Sequence, residues 1–331
     1  MRSINKAVLI PLLFVCALTS GCASTRHGVS PHTPQTELSQ VDLNALPIFD
    51  GPTGLRTSWD SLVAACSRAD IVLIGEMHNH PVGLAAAAAL YDQTASRKPT
   101  TAALSLEFIN RDRQAAIDDY LADLTDEKAF RKAAGRTNAN YPAGHRAMVE
   151  TARGLDQPVI AANAPRQYVK LARTDGFDRL EQLTDEQRRL FVIPSDLTEG
   201  AYRDSFFEMM SGMTGHGSPQ DDDAPEPTEE EKAEAEKEAH EMVLGFFRAQ
   251  NLWDATMAYA VANAVWDNRS PVFHVVGHFH VDNNGGLTDR LRQLLPNAEI
   301  IVVTMSDETG DERTEDEANK ADWIIHVGPT D

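Results

Sequence analysis

The chain has 331 residues, 42% of them hydrophobic, enough to bury a large core and too many for a disordered or fibrous protein. Its formal net charge of −20 repels phosphate backbones, so nucleic acid is not an expected partner. Three cysteines in a chain of this length exclude a disulfide scaffold and leave stability to an ordinary core.

The N-terminus carries Arg2 and Lys6, then an apolar stretch from Ala7 to Leu18, then Thr19-Ser20-Gly21-Cys22. A basic region, a short apolar region and small residues at the end form the pattern of an export signal. The apolar stretch is shorter than the roughly 20 residues that cross a bilayer. Cys22, directly after the small residues, resembles the acylated cysteine of the bacterial lipobox; an ordinary signal with an incidental cysteine is the other reading. Each buried methylene of an acyl chain adds about 0.8 kcal/mol, so several chains give a stable membrane anchor. Residue 23 is Ala rather than Asp, and by resemblance to sorted lipoproteins the expected address is the outer membrane. The expected organisation is a lipoprotein signal peptide over 1–21, a flexible polar tether over 22–46 and an α/β domain over 47–331. Cys16 then leaves with the signal, Cys22 is lipidated, and only Cys66 remains, on a helical pattern that predicts burial.

Within the domain, Trp59 to Ser67 predicts an amphipathic helix and Ile71-Val72-Leu73-Ile74 a strand covered on both faces. An Ala-rich helix over Pro81 to Ser96, a strand over Thr101 to Leu106 and a helix over Asp112 to Leu121 continue a βαβ rhythm. The strand Val159-Ile160-Ala161-Ala162 ends near Pro165, which can open a helix. Phe191-Val192-Ile193 is a further short apolar run. From Asp178 to Asp267 the pattern is helical, interrupted over 212–231 by Gly, Pro and Asp without periodicity, an acidic loop. Val272-Phe273-His274-Val275-Val276, Ile300 to Val303 and Trp323 to Val327 return to strand, with a helix over Leu287 to Leu295. The fold class expected is α/β, a mainly parallel sheet flanked by helices, with a smaller helical lobe over about 108–150 and 178–267. The acidic runs from Asp221 to Glu238 and from Asp307 to Asp322 suit solvated surface.

Two G-x-x-H segments, Gly75-Glu76-Met77-His78 and Gly277-His278-Phe279-His280, each end an apolar strand run. Ligands of open α/β sheets collect outside the carboxyl ends of the strands, so both segments are expected at one site. Glu107 closes the strand over Ala103 to Leu106 at the same edge, while His80 and Asp282 are further candidates. Imidazole beside carboxylate serves either a divalent metal or proton transfer. His78, His280, Glu76 and Glu107 are therefore the candidate metal ligands. In a metal-dependent hydrolase, Glu76 or Glu107 would take the proton of the attacking water.

The segments Ile74 to His78, Leu104 to Glu107, Ala161 to Arg166, Ala249 to Ala258 and Gly277 to Val281, in that order, resemble the ChaN family of haem-binding lipoproteins of bacterial iron uptake. The resemblance runs from roughly Asp50 to Leu295. It implies a parallel sheet with a smaller helical domain, and stacked haems held between two subunits by tyrosine axial ligands, hence a homodimer. In the stretch from Asn140 to Arg146, where family members carry Tyr and other aromatics, this chain offers Tyr141 and His145 as axial candidates. Arg146 or Arg166 would pair with the haem propionates. The absence of C-x-x-C-H makes any haem non-covalent. The wider superfamily also includes Tiki-type metal-dependent proteases and erythromycin esterases, so membership leaves a divalent-metal hydrolase as the alternative.

Overall fold

Continuous apolar runs form the centre of one eight-stranded sheet in the computed structural model, which describes residues 41–214 and 228–330. The signal peptide, Cys22, the tether up to residue 40 and residues 215–227 of the acidic loop lie outside the described residues. In chain order the elements begin β1 (Ile48–Asp50), β2 (Arg56–Thr57), α1 (Trp59–Cys66), β3 (Ile71–Glu76), α2 (Pro81–Ala95) and β4 (Ala103–Asn110). Then come α3 (Gln114–Leu121), α4 (Glu127–Ala133), α5 (Ala143–Gly154), β5 (Val159–Asn163), α6 (Arg166–Asp175), α7 (Phe177–Glu181), α8 (Asp185–Arg188) and α9 (Ala201–Thr214). The last are α10 (Glu229–Trp266), β6 (Val272–Gly277), α11 (Gly286–Leu294), β7 (Ile300–Ser306) and β8 (Trp323–His326).

The strand order is β2-β1-β8-β7-β3-β6-β4-β5; only the pairs β1–β2 and β1–β8 are antiparallel. β3 and β6 are wholly buried, as their unbroken apolar sequences require, and side chains alternate between two helical layers. Val72, Ile74, Phe273 and Val275 pack with α1, α2 and α5 on one face. Ile71, Leu73, Val272 and Val276 pack with α10 and α11 on the other. Ile117, Tyr120, Phe130 and Met148 of α3–α5 belong to the first of these cores, so the 108–150 helices sit directly on the sheet. Cys66 is buried there, and burial pushes its thiol up to about 12. Two satellite cores join α6 and α9 to α10.

Local signals set the helix starts: Ser58 caps α1, the His80 imidazole caps α2, and Thr228 with Glu231 forms a capping box on α10. The run Phe191-Val192-Ile193 stays irregular. Its Val192 N–H is satisfied by the Thr256 hydroxyl of α10 at 3.0 Å and Phe191 packs in a satellite core, leaving no ladder to join. Among the described residues no helix is long and apolar enough to cross a membrane.

The edge strand β5 would expose unpaired backbone groups to other chains. Gln114 seals it: its amide Nε2 donates to the Val159 carbonyl at 2.8 Å, and its Oε1 accepts the Ala161 N–H at 2.7 Å. Gln114→Ala should lower the unfolding free energy in urea by about 1–3 kcal/mol, the cost of two half-buried backbone groups left without partners. Gln114→Glu, which sets a carboxylate oxygen against the Val159 carbonyl and the Asp118 carboxylate that the amide bonds, should be at least as destabilised. Wild-type stability in the Ala variant would contradict this role.

Candidate functional site

Pleat alternation decides where the two carboxylates go; Glu76 ends β3, whereas β4 continues three residues past Glu107 to Asn110 instead of closing there. Glu76 shares the face of Val72 and Ile74, so it meets α5. Its Oε2 lies 2.6 Å from His145 Nε2 and its Oε1 2.9 Å from His78 Nδ1. Glu107 follows the opposite parity, that of Ala103 and Ser105, and turns to the α10 side. Its Oε2 accepts the Gly277 N–H at 2.7 Å and its Oε1 is 3.8 Å from His280 Nε2. The bare Gly277 lets the two halves meet, since an added Cβ would lie 2.9 Å from His78 Nε2 and 3.7 Å from Glu107 Oε2. Gly144 has a similar task next to His145: a Cβ there would come within 2.7 Å of the Leu84 carbonyl oxygen, so only glycine lets α5 rest on α2.

Glu76, His78, Glu107 and His145 line one cavity of about 400 Å³ at the carboxyl edge of the sheet, with Phe108, Trp253, Arg136 and Arg166 among its walls. Phe108 stacks on His145, ring centroids 3.7 Å apart and planes 9° from parallel. The Arg136 guanidinium donates to the carbonyls of Ala134 and Asn140. Burial and the neighbouring charge of Arg166 both lower its pKa. Among the described residues neither guanidinium meets a carboxylate, so the cavity presents two positive groups that repel one another.

The imidazoles and carboxylates form hydrogen-bonded pairs. Burial would push the Glu76 carboxyl up, but the charges and hydrogen bonds of His145 and His78 prevail and hold it at about 2. The hydrogen bond to Glu76 raises the pKa of His78, whose side chain remains 65% exposed. His280 is buried; Asp254 Oδ1, 2.5 Å from Nδ1, outweighs the desolvation that would neutralise the ring and raises its pKa. Tyr202 donates to the other Asp254 oxygen at 2.7 Å, and the Gln250 amide lies 3.0 Å from both the Tyr202 hydroxyl and the His280 ring. Deeper still, His274 bonds Ser105 Oγ at 2.9 Å and burial, with the nearby His280, lowers it to about 3, so it is neutral.

The structure thus brings Glu76, His78, Glu107 and His280 to one strand edge, but not around one point. Glu76 spends both oxygens on imidazoles, His280 is tied to Asp254, and Glu107 accepts a backbone N–H. Among the described residues no group of three or more His, Cys, Asp or Glu side chains is arranged to hold a metal ion. His80 caps α2 through Nδ1 and donates from Nε2 to the Gly328 carbonyl, while Asp282 bonds His278 and Thr304. Neither lines the cavity. Tyr141 is 4% exposed, its ring beside Phe108 and Phe130 in the core, and its hydroxyl has no hydrogen-bond partner among the described residues. Arg146 pairs with Glu127 at 2.5 Å and also lies off the cavity.

Arg136, Asp254, Tyr202 and Gln250 are the site residues that sequence reading misses. Gln250 and Asp254, spaced i and i+4 in the buried second half of α10, leave one legible signal: buried polar groups that need partners. Arg136 sits in a loop with no periodicity to mark it.

Glu76 gives the protein a pH signature. Its displacement from 4.5 to about 2 corresponds to about 3 kcal/mol of stability, present above pH 4.5 and lost as pH falls toward 2. Over that window the unfolding free energy of Glu76→Gln should fall less steeply than that of the wild type by about this amount. Parallel curves for the two proteins would show that the carboxylate is not held as described.

The family profile described as "Haem-binding uptake, Tiki superfamily, ChaN" matches residues 62–291. A solved structure described as "Cofacial heme binding to ChaN of Campylobacter jejuni" superposes with a TM-score of 0.61 at 14% identity, covering 85% of this chain and 96% of that one. At such identity the likeness is one of fold. The type III effector HopBA1 aligns with a TM-score of 0.41 at 14% identity, covering 87% of this chain and 99% of its own. A mutant of the erythromycin esterase EreC, in its open conformation, gives 0.42 at 11%, covering 75% of this chain and 71% of its own. No curated protein sequence matches the chain. Because the profile spans more than half its length, the chain belongs to the haem-binding-uptake ChaN family of the Tiki superfamily.

Proposed function

We propose that this protein binds haem non-covalently in the cavity at the carboxyl edge of the sheet, as an envelope lipoprotein of haem or iron uptake. The observation that carries the proposal is the pairing of Arg136 and Arg166, unmatched by any carboxylate among the described residues, with an imidazole in the same cavity. Guanidinium forks match carboxylates bidentately, so the two arginines suit the propionates. His78 Nδ1 is engaged by Glu76, and a carboxylate behind an imidazole raises the basicity of the other ring nitrogen. We assign His78 Nε2 as the iron ligand. His145 is held by Glu76 through Nε2, and the Tyr141 hydroxyl lies in the core, so neither is offered to the cavity as freely. Phe108, stacked on His145, and Trp253 give apolar faces for a flat macrocycle. Bound haem would supply an iron centre whose reactivity its axial ligand and surroundings set.

The cofacial haem binding named for the Campylobacter jejuni protein, carried to this chain, requires a second haem plane, and we infer that a second copy of the chain supplies it. Metal-dependent hydrolysis has less support, because among the described residues no three His, Cys, Asp or Glu side chains are arranged to hold one metal ion.

Hemin titration tests the reading. The wild type should give a Soret shift that saturates, with sedimentation showing the haem-loaded protein as a dimer. His78→Ala should move the band, Arg136→Gln with Arg166→Gln should weaken binding about tenfold or more without moving it, and Tyr141→Phe should change neither. A flat titration rejects haem binding. A band that moves in His145→Ala but not in His78→Ala transfers the ligand to His145.

The anchor is tested separately. Cys22→Ser should move the full-length protein from the membrane fraction to the soluble one after export, and retention in the membrane would reject lipidation at that residue.

A further inference from the structure

A second, larger cleft of about 920 Å³ opens beside the edge strand β5, between the start of α3 and the carboxyl-terminal half of α10. Its floor is apolar, built from Ile160, Leu190 and Ala260. Its walls carry three guanidiniums, Arg111, Arg189 and Arg269, and two carboxylates, Asp112 and Asp267. Arg111 is half-buried, and burial lowers its pKa, with the Tyr259 phenol as the opposing influence. Among the described residues no carboxylate pairs with it, since the adjacent Asp112 pairs with Arg113. Among the described residues the Arg269 guanidinium donates only to the Thr100 carbonyl, at 3.3 Å. A desolvated cation without an anion is costly, and a cleft of several hundred cubic ångströms is of ligand size.

The lining also says what the occupant is not. Gln114 already satisfies the β5 backbone through Val159 and Ala161, so the edge cannot accept an added strand. Asn263 faces the cleft from α10, flanked on the same helix face by Tyr259 and Trp266, 37% and 50% exposed, which border the opening with aromatic surface.

We propose that this cleft is a second binding site, for an amphiphilic organic acid whose apolar body lies on Ile160, Leu190 and Ala260 and whose carboxylates meet Arg111, Arg189 and Arg269. The site shares no residue with the cavity at the strand ends, so it stands or falls independently of haem binding there.

Two probes separate the sources of such an acid: palmitate, an acyl chain with one carboxylate, and metal-free protoporphyrin IX, a macrocycle with two. Each is titrated against the wild type, against Arg111→Gln with Arg269→Gln, and against Arg136→Gln with Arg166→Gln. At least one probe should bind the wild type saturably. The Arg111/Arg269 variant should bind it at least about tenfold more weakly with an unchanged melting temperature; the Arg136/Arg166 variant should match the wild type for palmitate and, for protoporphyrin IX, whose propionates also suit Arg136 and Arg166, should keep the saturable component that the Arg111/Arg269 variant loses. Asn263→Trp, which fills the cleft from an exposed helix face, should weaken the same probe without touching any arginine. The proposal is overturned if neither probe saturates, or if the loss follows Arg136 and Arg166 while Arg111, Arg269 and Asn263 can be changed without effect. Palmitate binding alone identifies an acyl acid as the occupant, and porphyrin binding alone a tetrapyrrole.

Discussion

A strand buried on both faces hands successive side chains to opposite layers, and this two-residue period governs the functional end of the molecule. Glu76 inherits the face of Val72 and Ile74 and so reaches His145 on α5. Glu107 takes the other face and reaches toward His280 and α10. Two carboxylates that would repel one another side by side are thereby separated by the thickness of the sheet edge, each with its own nitrogen partners. Over the rim between them lies Gly277, whose N–H goes to Glu107 and whose missing Cβ leaves room for His78. A one-residue slip in either strand would exchange the faces and dissolve both sets of contacts.

The two halves differ in kind. On the α5 side, Glu76 is an anion between two imidazoles, one of them largely exposed, so the cluster faces the cavity and can change partners there. The α10 side is closed. His280, Asp254, Tyr202 and Gln250 satisfy one another below the surface, and Asp254 is fully buried. Tight backbone approach supports that closure, since a Cβ on Gly286 would clash with an Asp254 carboxylate oxygen. A buried, fully bonded network of this sort fixes geometry more than it adds stability. It clamps the turn after β6 to α10 and so holds Gly277 under His78. The second G-x-x-H segment spends its side chains inward, on Asp254 and Asp282, and gives the site its Gly277 N–H, while the first presents its side chains to the cavity.

Much of this was legible in the sequence because it follows from period and punctuation. The buried strands, the Ala-rich α2 and the convergence of Glu76, His78, Glu107 and His280 at one edge come from unbroken apolar runs ending in Gly or Glu. The short apolar run at Phe191 stays out of the sheet for a physical reason: Thr256 takes the Val192 backbone donor and Phe191 packs in a satellite core. Side-chain partnership is what sequence does not carry. Nothing in the spacing of Asn140 to Arg146 tells that Tyr141 turns into the core, that Arg146 is bound to Glu127, or that Arg136 lines the cavity instead. Those outcomes depend on how α4 and α5 settle on the sheet, a matter of packing between segments that share no repeat.

A strongly acidic chain is at first sight a poor receptor for anions, yet the charge is distributed so that the objection fails. At physiological salt, exposed charges are screened beyond about 8 Å, so the glutamates along the start of α10 contribute little at the strand ends. At close range an entering carboxylate meets Arg136 and Arg166 in one cavity, where Glu107 is engaged by the Gly277 N–H, or Arg111, Arg189 and Arg269 against Asp112 and Asp267 in the other cleft, so that guanidiniums outnumber carboxylates there. Glu76 does not cancel this, because its charge is already committed to His78 and His145. Net charge then governs solubility and the rejection of polyanions, whose long phosphate arrays would sample the whole acidic surface. Small organic acids sample only the few ångströms around a guanidinium pair, so the same protein can exclude the first and accept the second.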